Sequence, residues 1–262
     1  MASPGETIIF RDRVDAGRRL AAHSELQRVK SLSPDEKDSH LVNSLPRGGT
    51  VVGDEVAKLL GITHDLVFPR KIPCPGDVQE SKNKQIEEAR RRKQVYRGKR
   101  QPLNDLSGKT VILVDDGDAT NPREDLDLGL DLGLDLGLYP GFGQRFGFVS
   151  WTWSKVWICI LDLVKGATMK SAINTCKHLN AKSIIVAVPC GPAEGVEEIR
   201  PLVNKIICLT TPYDYYAVGQ CYNTFPQTTD GEVIEIMKKY QDLTHTNTQR
   251  RYALNICRSK SK

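Results

Sequence analysis

Thr110–Asp116 reads TVILVDD: four aliphatic residues in a row, Val111–Val114, lead straight into two adjacent carboxylates, Asp115 and Asp116. A strand that is apolar at every position, instead of every second one, is what burial on both faces demands. Carboxylates are too costly to bury unpaired, so the two acids mark where the strand leaves the core. The stretch predicts a central strand of a parallel sheet with a polar site at its exit.

Upstream, HLVNSLPRGGT (His40–Thr50) repeats the plan. Leu41, Val42 and Leu45 read as a short buried strand and Pro46–Gly49 as the loop after it. Val51–Leu60 has helical spacing and stops at Gly61, a residue suited to a left-handed helix end. His64–Lys71 reads as a second strand, Gln79–Val95 as a polar helix, and Asp12–Leu26 as an amphipathic helix carrying Val14, Leu20 and Ala21. Downstream, Ala167–Leu179 predicts a helix with Asn180 as its stop, Ser183–Val188 a strand, Pro192–Val203 a helix and Lys205–Leu209 a strand. A last helix, Thr229–Tyr240, opens with Thr229 and Glu232 in capping-box spacing. Strands alternating with helices imply βαβ units: an α/β fold with a parallel sheet and helices on both faces. In such sheets ligands sit beyond the carboxyl ends of strands, here after Leu45, Val67 and Val114.

Composition agrees. Of 262 residues, 39% are hydrophobic and 26% charged, as in an ordinary globular protein. The seven cysteines show no CxxC spacing, which argues against a zinc site or disulfide framework and for reduced, partly buried thiols. A net charge of +5 suits a protein that handles phosphates, fits weak nucleic-acid contact as well, and is too small to choose between them. No early apolar run reads as a signal peptide, and the expected location is cytoplasmic, with no membrane partner. The five histidines, His23, His40, His64, His178 and His245, are isolated and read as surface or loop residues. Tyr213, Tyr215 and Tyr216 could stack on a base, but a packing or rim position suits them better. Residues 246–262 read as a solvated basic tail.

Asn121–Lys165 breaks the pattern. It holds DLDLGLDLGLDLGLYPGFG, with DLGL in tandem, and all three tryptophans of the chain. Phe146–Val164 is apolar enough to suggest a membrane span, but Lys155 and Asp162 lie within it. The segment reads as a low-complexity insertion, either a translated intron or a lineage-specific addition. Without it, VILVDDGDAT runs directly into GATMKSA. The domain is then 1–120 joined to 166–245.

So joined, an apolar strand delivers two acids, a turn of small residues and a helix. Turn amides and the positive helix end make a phosphate pocket, Thr120 and Thr168 add hydroxyls, and Gly166 and Ala167 allow close approach. This pattern resembles the ribose-phosphate loop of type I phosphoribosyltransferases: four apolar residues (Val111–Val114), two acids (Asp115, Asp116), a variable stretch, then Thr120 and Gly166-Ala167-Thr168. LPRGG (Leu45–Gly49) is similar to that family's pyrophosphate loop, with Arg47, Gly48 and Gly49 holding the leaving group. Arg70 and Lys71 are further cations by position. FRDRVDAGRRLA, FPRKIPCPG, YRGKRQPL, AVPCGP and AVGQCYNTFPQTTDGEV extend the likeness to the members of unassigned substrate, over nearly all residues from Phe10 to Lys239 except the insertion. Two features depart from it: the stretch between Lys71 and Tyr96 is short, and Ala119 stands where purine-salvage members carry an acidic base.

The resemblance implies a pentosyltransferase with the corresponding fold. It would transfer 5-phosphoribosyl from phosphoribosyl pyrophosphate to a nitrogenous acceptor and release pyrophosphate. Asp115, Asp116 and Arg47 would be the catalytic residues. Mg²⁺ would be held mainly by the substrate, with no direct protein ligand. The partners would be phosphoribosyl pyrophosphate and an unidentified acceptor, with a homodimer as relatives of the fold commonly form. Two other readings stay open: a regulator that senses phosphoribosyl pyrophosphate or binds RNA without catalysis, and an inactive product of a gene disrupted by the insertion.

Overall fold

The computed structural model describes residues 8–68, 87, 90–91, 94–96, 98, 104–117 and 167–240. Five strands form one sheet: β1 (His40–Ser44), β2 (Thr63–Leu66), β3 (Thr110–Val114), β4 (Ser183–Cys190) and β5 (Lys205–Thr210). Their order is β2-β1-β3-β4-β5, and every neighbouring pair is parallel. Register is continuous through the centre, with Val42 beside Ile112 and Ile112 beside Ile185. The expected α/β class, with all strands parallel, is what the structure has.

The helices are α1 (Arg13–Ala21), α2 (Ser24–Lys30), α3 (Pro34–Lys37), α4 (Gly48–Leu60), α5 (Ala167–His178), α6 (Ala193–Ile199) and α7 (Asp230–Lys238). Alternate side chains of the apolar strands serve opposite layers. Ile112, Val114, Ala187 and Ile207 join a core with Leu20, Leu26, Val52 and Val56 from α1, α2 and α4. Val111, Leu113, Val186 and Val188 join a second core with Met169, Ala172, Ile173 and Ile199 from α5 and α6. Helices therefore cover both faces, which is why these strands are apolar throughout. No helix among the described residues is long and apolar enough to cross a membrane.

Local signals end the elements where the sequence says they should. Gly61 closes α4 at φ 70°, Asn180 lies beyond α5 at φ 60°, and Thr229 and Glu232 form the capping box of α7. Three expectations need revision. The helix expected over Asp12–Leu26 is two helices, because His23 takes an extended conformation and its ring accepts the Glu25 amide to cap α2. The expected loop Pro46–Gly49 is shorter, since α4 already begins at Gly48. His64 is no surface histidine: it is fully buried on β2, 2.7 Å from Ser44 Oγ and edge-on to Tyr240. Cys176, Cys190 and Cys221 are free thiols, and burial pushes the Cys176 thiol up to about 11. The expected insertion 121–165 and tail 246–262 lie outside the described residues.

Candidate functional site

From β1 the chain steps to β2 on one side, then returns to β3, β4 and β5 on the other. Progress across the sheet thus reverses between β1 and β3. In open α/β sheets ligands occupy the crevice at that switch, outside the carboxyl ends. The residues there are Leu45–Gly49 after β1 and Asp115–Gly117 after β3, joined where the Leu45 amide donates to Val114 O at 3.0 Å.

The two segments touch with no room for a side chain between them. A Cβ on Gly48 would sit 1.9 Å from Asp116 Oδ2; one on Gly49 would sit 2.6 Å from Asp115 Oδ1 and 2.9 Å from Asp115 Cα. Both positions need glycine for close approach. Arg47, at the start of α4, makes no side-chain cap bond. The first-turn amides of Gly48 and Gly49 have no carbonyl one turn back to accept them, so they add donors and the positive end of the helix dipole to the crevice. The Pro46–Arg47 peptide is cis.

Asp116 is held from outside its own loop. Arg13 Nε of α1 donates to its Oδ2 at 2.8 Å, and Tyr222 donates its hydroxyl to the Asp116 carbonyl. Arg13 also donates from Nη1 to Pro226 O and lies 3.8 Å over the Phe225 ring, a cation–π contact. Burial pushes the Tyr222 phenol up, so it remains a donor. Asp115 Oδ1 accepts the amide of the next residue, Asp116, at 2.9 Å.

Arg47 reaches Asp230 at 3.8 Å, at the first residue of α7. Asp230 also accepts from the Tyr96 hydroxyl and from Arg91. The Tyr96 bond first, then Arg91 and Arg47, hold its carboxyl below the usual carboxylate range. The site therefore sets two helix-end amides against two acids, with the Arg47 side chain held at Asp230. This set suits a polyol phosphate: cationic groups for phosphate and carboxylates for hydroxyls.

No protein-family model matches the chain. It is 28% identical, over 88% of its length, to two Mycobacterium tuberculosis proteins named "Putative phosphoribosyl transferase", Rv0571c of strain H37Rv and MT0597 of strain CDC 1551. The chain spans about half the length of these curated relatives, 47%. The crystal structure of TT1426 from Thermus thermophilus superposes with a TM-score of 0.60 at 26% identity, covering 89% of this chain and 99% of that one. The chain has the phosphoribosyltransferase-type fold. Its resemblance to phosphoribosyltransferases of unassigned substrate, read first from short motifs, holds along most of its length.

On this phosphoribosyltransferase-type scaffold the structure brings Arg47, Gly48, Gly49, Asp115 and Asp116 together. Ala167 and Thr168 open α5, with Thr168 exposed. Thr120, Gly166, Arg70 and Lys71 lie outside the described residues. Tyr213 is 97% exposed and Tyr216 54%, while Tyr215 packs on the Phe10 and Tyr222 cluster. Sequence reasoning missed Arg13, Tyr222 and Asp230. It also passed over Gly117 as variable, although a Cβ there would meet Val218 Cγ1 at 2.6 Å and Cys190 Sγ at 3.1 Å. The motif FRDRVDAGRRLA carried Arg13 in plain view but gave no reason to single it out.

Proposed function

We propose that the chain is a phosphoribosyltransferase: it transfers 5-phosphoribosyl from phosphoribosyl pyrophosphate to a nitrogenous acceptor and releases pyrophosphate. The observation that carries this reading is the contact of Gly48 and Gly49 with Asp116 and Asp115 at the switch between β1 and β3. It juxtaposes an anion-binding helix end with a hydroxyl-binding acid pair, the two halves of the donor substrate.

Displacement at C1 of the ribose passes through charge like that of an oxocarbenium ion, so positioning and electrostatics do the work and no covalent nucleophile is needed. Arg47 and the amides of Gly48 and Gly49 take up charge on the departing pyrophosphate, and the sequence pattern assigns Arg70 and Lys71 to the same task. Asp115 and Asp116 orient the ribose through its hydroxyls. Ala167 and Thr168, at the positive end of α5, receive the 5-phosphate, together with Thr120 and Gly166 of the same sequence pattern. The hard oxygen donors at the end of β3 fit Mg²⁺ in kind. Because Asp116 Oδ2 is already engaged by Arg13, the ion is assigned mainly to substrate oxygens. When bound, it neutralises charge on the pyrophosphate.

Calorimetric titration of phosphoribosyl pyrophosphate with Mg²⁺ tests this, into the full chain and into a form lacking Asn121–Lys165. Binding by both supports a site that closes around the inserted stretch. Binding by the shortened form alone supports the site and assigns the full chain to the inactive reading. Binding by neither overturns the proposal.

A further inference from the structure

Arg13 is distant in sequence from the loops after β1 and β3, yet its side chain is only 10% exposed, against 31% for Arg47. A guanidinium so placed needs all its faces satisfied. Asp116 Oδ2 takes Nε at 2.8 Å, Pro226 O takes Nη1 at 2.5 Å, and Phe225 covers the plane at 3.8 Å. These contacts lie outside the two core layers, against Phe225 at the edge of the smaller cluster around Phe10 and Tyr222. All three converge on the acid pair and the segment that leads into α7.

We infer that Arg13 is the positioning residue for the ribose-binding acid, an inference that rests on the proposed donor substrate. Fixing Oδ2 fixes the plane of the Asp116 carboxylate and so the direction in which Oδ1 meets a sugar hydroxyl. It also keeps the carboxylate charged and pressed against Gly48, where a mobile side chain would swing into the leaving-group loop. A planar fork is required: the ammonium of lysine can hold Asp116 but cannot also reach Pro226 O and lie flat on Phe225. Arg13 and the Phe225–Pro226 pair thus act together, which gives a shared role to two stretches, FRDR and TFPQ, that otherwise have none.

The test compares R13M, R13K, D116N and R13M/D116N in the full chain, titrated with phosphoribosyl pyrophosphate plus Mg²⁺ and with inorganic pyrophosphate plus Mg²⁺. R13M should weaken phosphoribosyl pyrophosphate about tenfold or more, the scale of a lost charge-assisted bond, and leave pyrophosphate within about twofold. R13K should fall between wild type and R13M. The double variant should bind no worse than D116N, because Arg13 acts through Asp116. Wild-type affinity in R13M, equal losses on both ligands, or additive losses in the double variant each overturn the inference. Should R13M fail to unfold cooperatively, R13K decides alone: a loss confined to phosphoribosyl pyrophosphate supports it, and no loss or an equal loss on pyrophosphate overturns it. A wild type that binds neither ligand, both as the full chain and as the form lacking Asn121–Lys165, fails differently, removing the donor-substrate reading itself. Where pyrophosphate alone is too weak to measure, the double-variant comparison settles the matter.

Discussion

Replacing Gly49 with alanine sets two effects against each other, and the structure decides between them. Alanine is the better helix former by up to about 1 kcal/mol, and Gly49 lies in the first turn of α4. Its new methyl, however, would sit 2.9 Å from Asp115 Cα and 3.1 Å from Val114 O. Those are backbone atoms at the end of β3, locked between β1 and β4, and they cannot rotate away. Overpacking of this kind costs about 1–3 kcal/mol, and backbone obstruction belongs at the upper end. The net expectation is a loss of about 1–2 kcal/mol, or roughly 2–8 °C in Tm for a domain of this size. Gly231→Ala is the matched control. It too lies in the first turn of a helix, but its nearest neighbour would be Thr229 Oγ1 at 3.8 Å, so only the propensity gain remains. Differential scanning calorimetry of both variants should show Gly49→Ala below wild type and Gly231→Ala at or above it. If Gly49→Ala melts at or above wild type, the tight contact between the β1 and β3 loops is not real, and the site built on it falls too.

The hub beneath α7 gives a second expectation. Tyr240 donates to Asp54 Oδ1 at 2.8 Å, and Lys239 lies 2.7 Å from Asp54 Oδ2; Tyr240→Phe should cost about 1.5–3 kcal/mol, read as a lower urea midpoint at unchanged slope. The third concerns acid. The Asp230 carboxyl titrates below its ordinary value in the folded chain, so its contribution is complete above the unfolded value of about 4 and vanishes as pH falls through the folded one. Asp230→Asn should flatten that part of the stability–pH curve; parallel curves for the two proteins from pH 5 down to 3 would show that the carboxylate contributes nothing.

The parts of this molecule legible in its sequence are those set by local rules. TVILV announced β3 to the residue, because burial on two faces leaves no alternation. Gly61 and Asn180 marked helix ends by their tolerance of positive φ, and Thr229 with Glu232 marked a start by reciprocal bonds within one turn. What was hidden depends on partners far along the chain. Arg13 is one of four arginines in FRDRVDAGRR, and only Asp116 and Phe225 distinguish it. Gly117 is a glycine because Val218 and Cys190 press on it. His64 is buried between polar neighbours, Thr63 and Asp65, so its alternation misleads; Ser44 and Tyr240 explain its place. Asp230 stands in the first turn of α7, where an acid suits the helix dipole, and nothing local marks its contact with Arg47.

The reach of Arg13 has a consequence for how the protein comes into being. Its contacts to Asp116 and Pro226 span 103 and 213 positions, and Phe10 pairs with Tyr222 across a similar interval. Loops that long close slowly, and a ribosome delivers their far ends last. A nascent chain can lay down β1, α4 and β3 and pack Gly49 on Asp115 while Arg13 still lacks Phe225 and Pro226. Arg13 therefore gains its full set of contacts only when Phe225 and Pro226 have emerged.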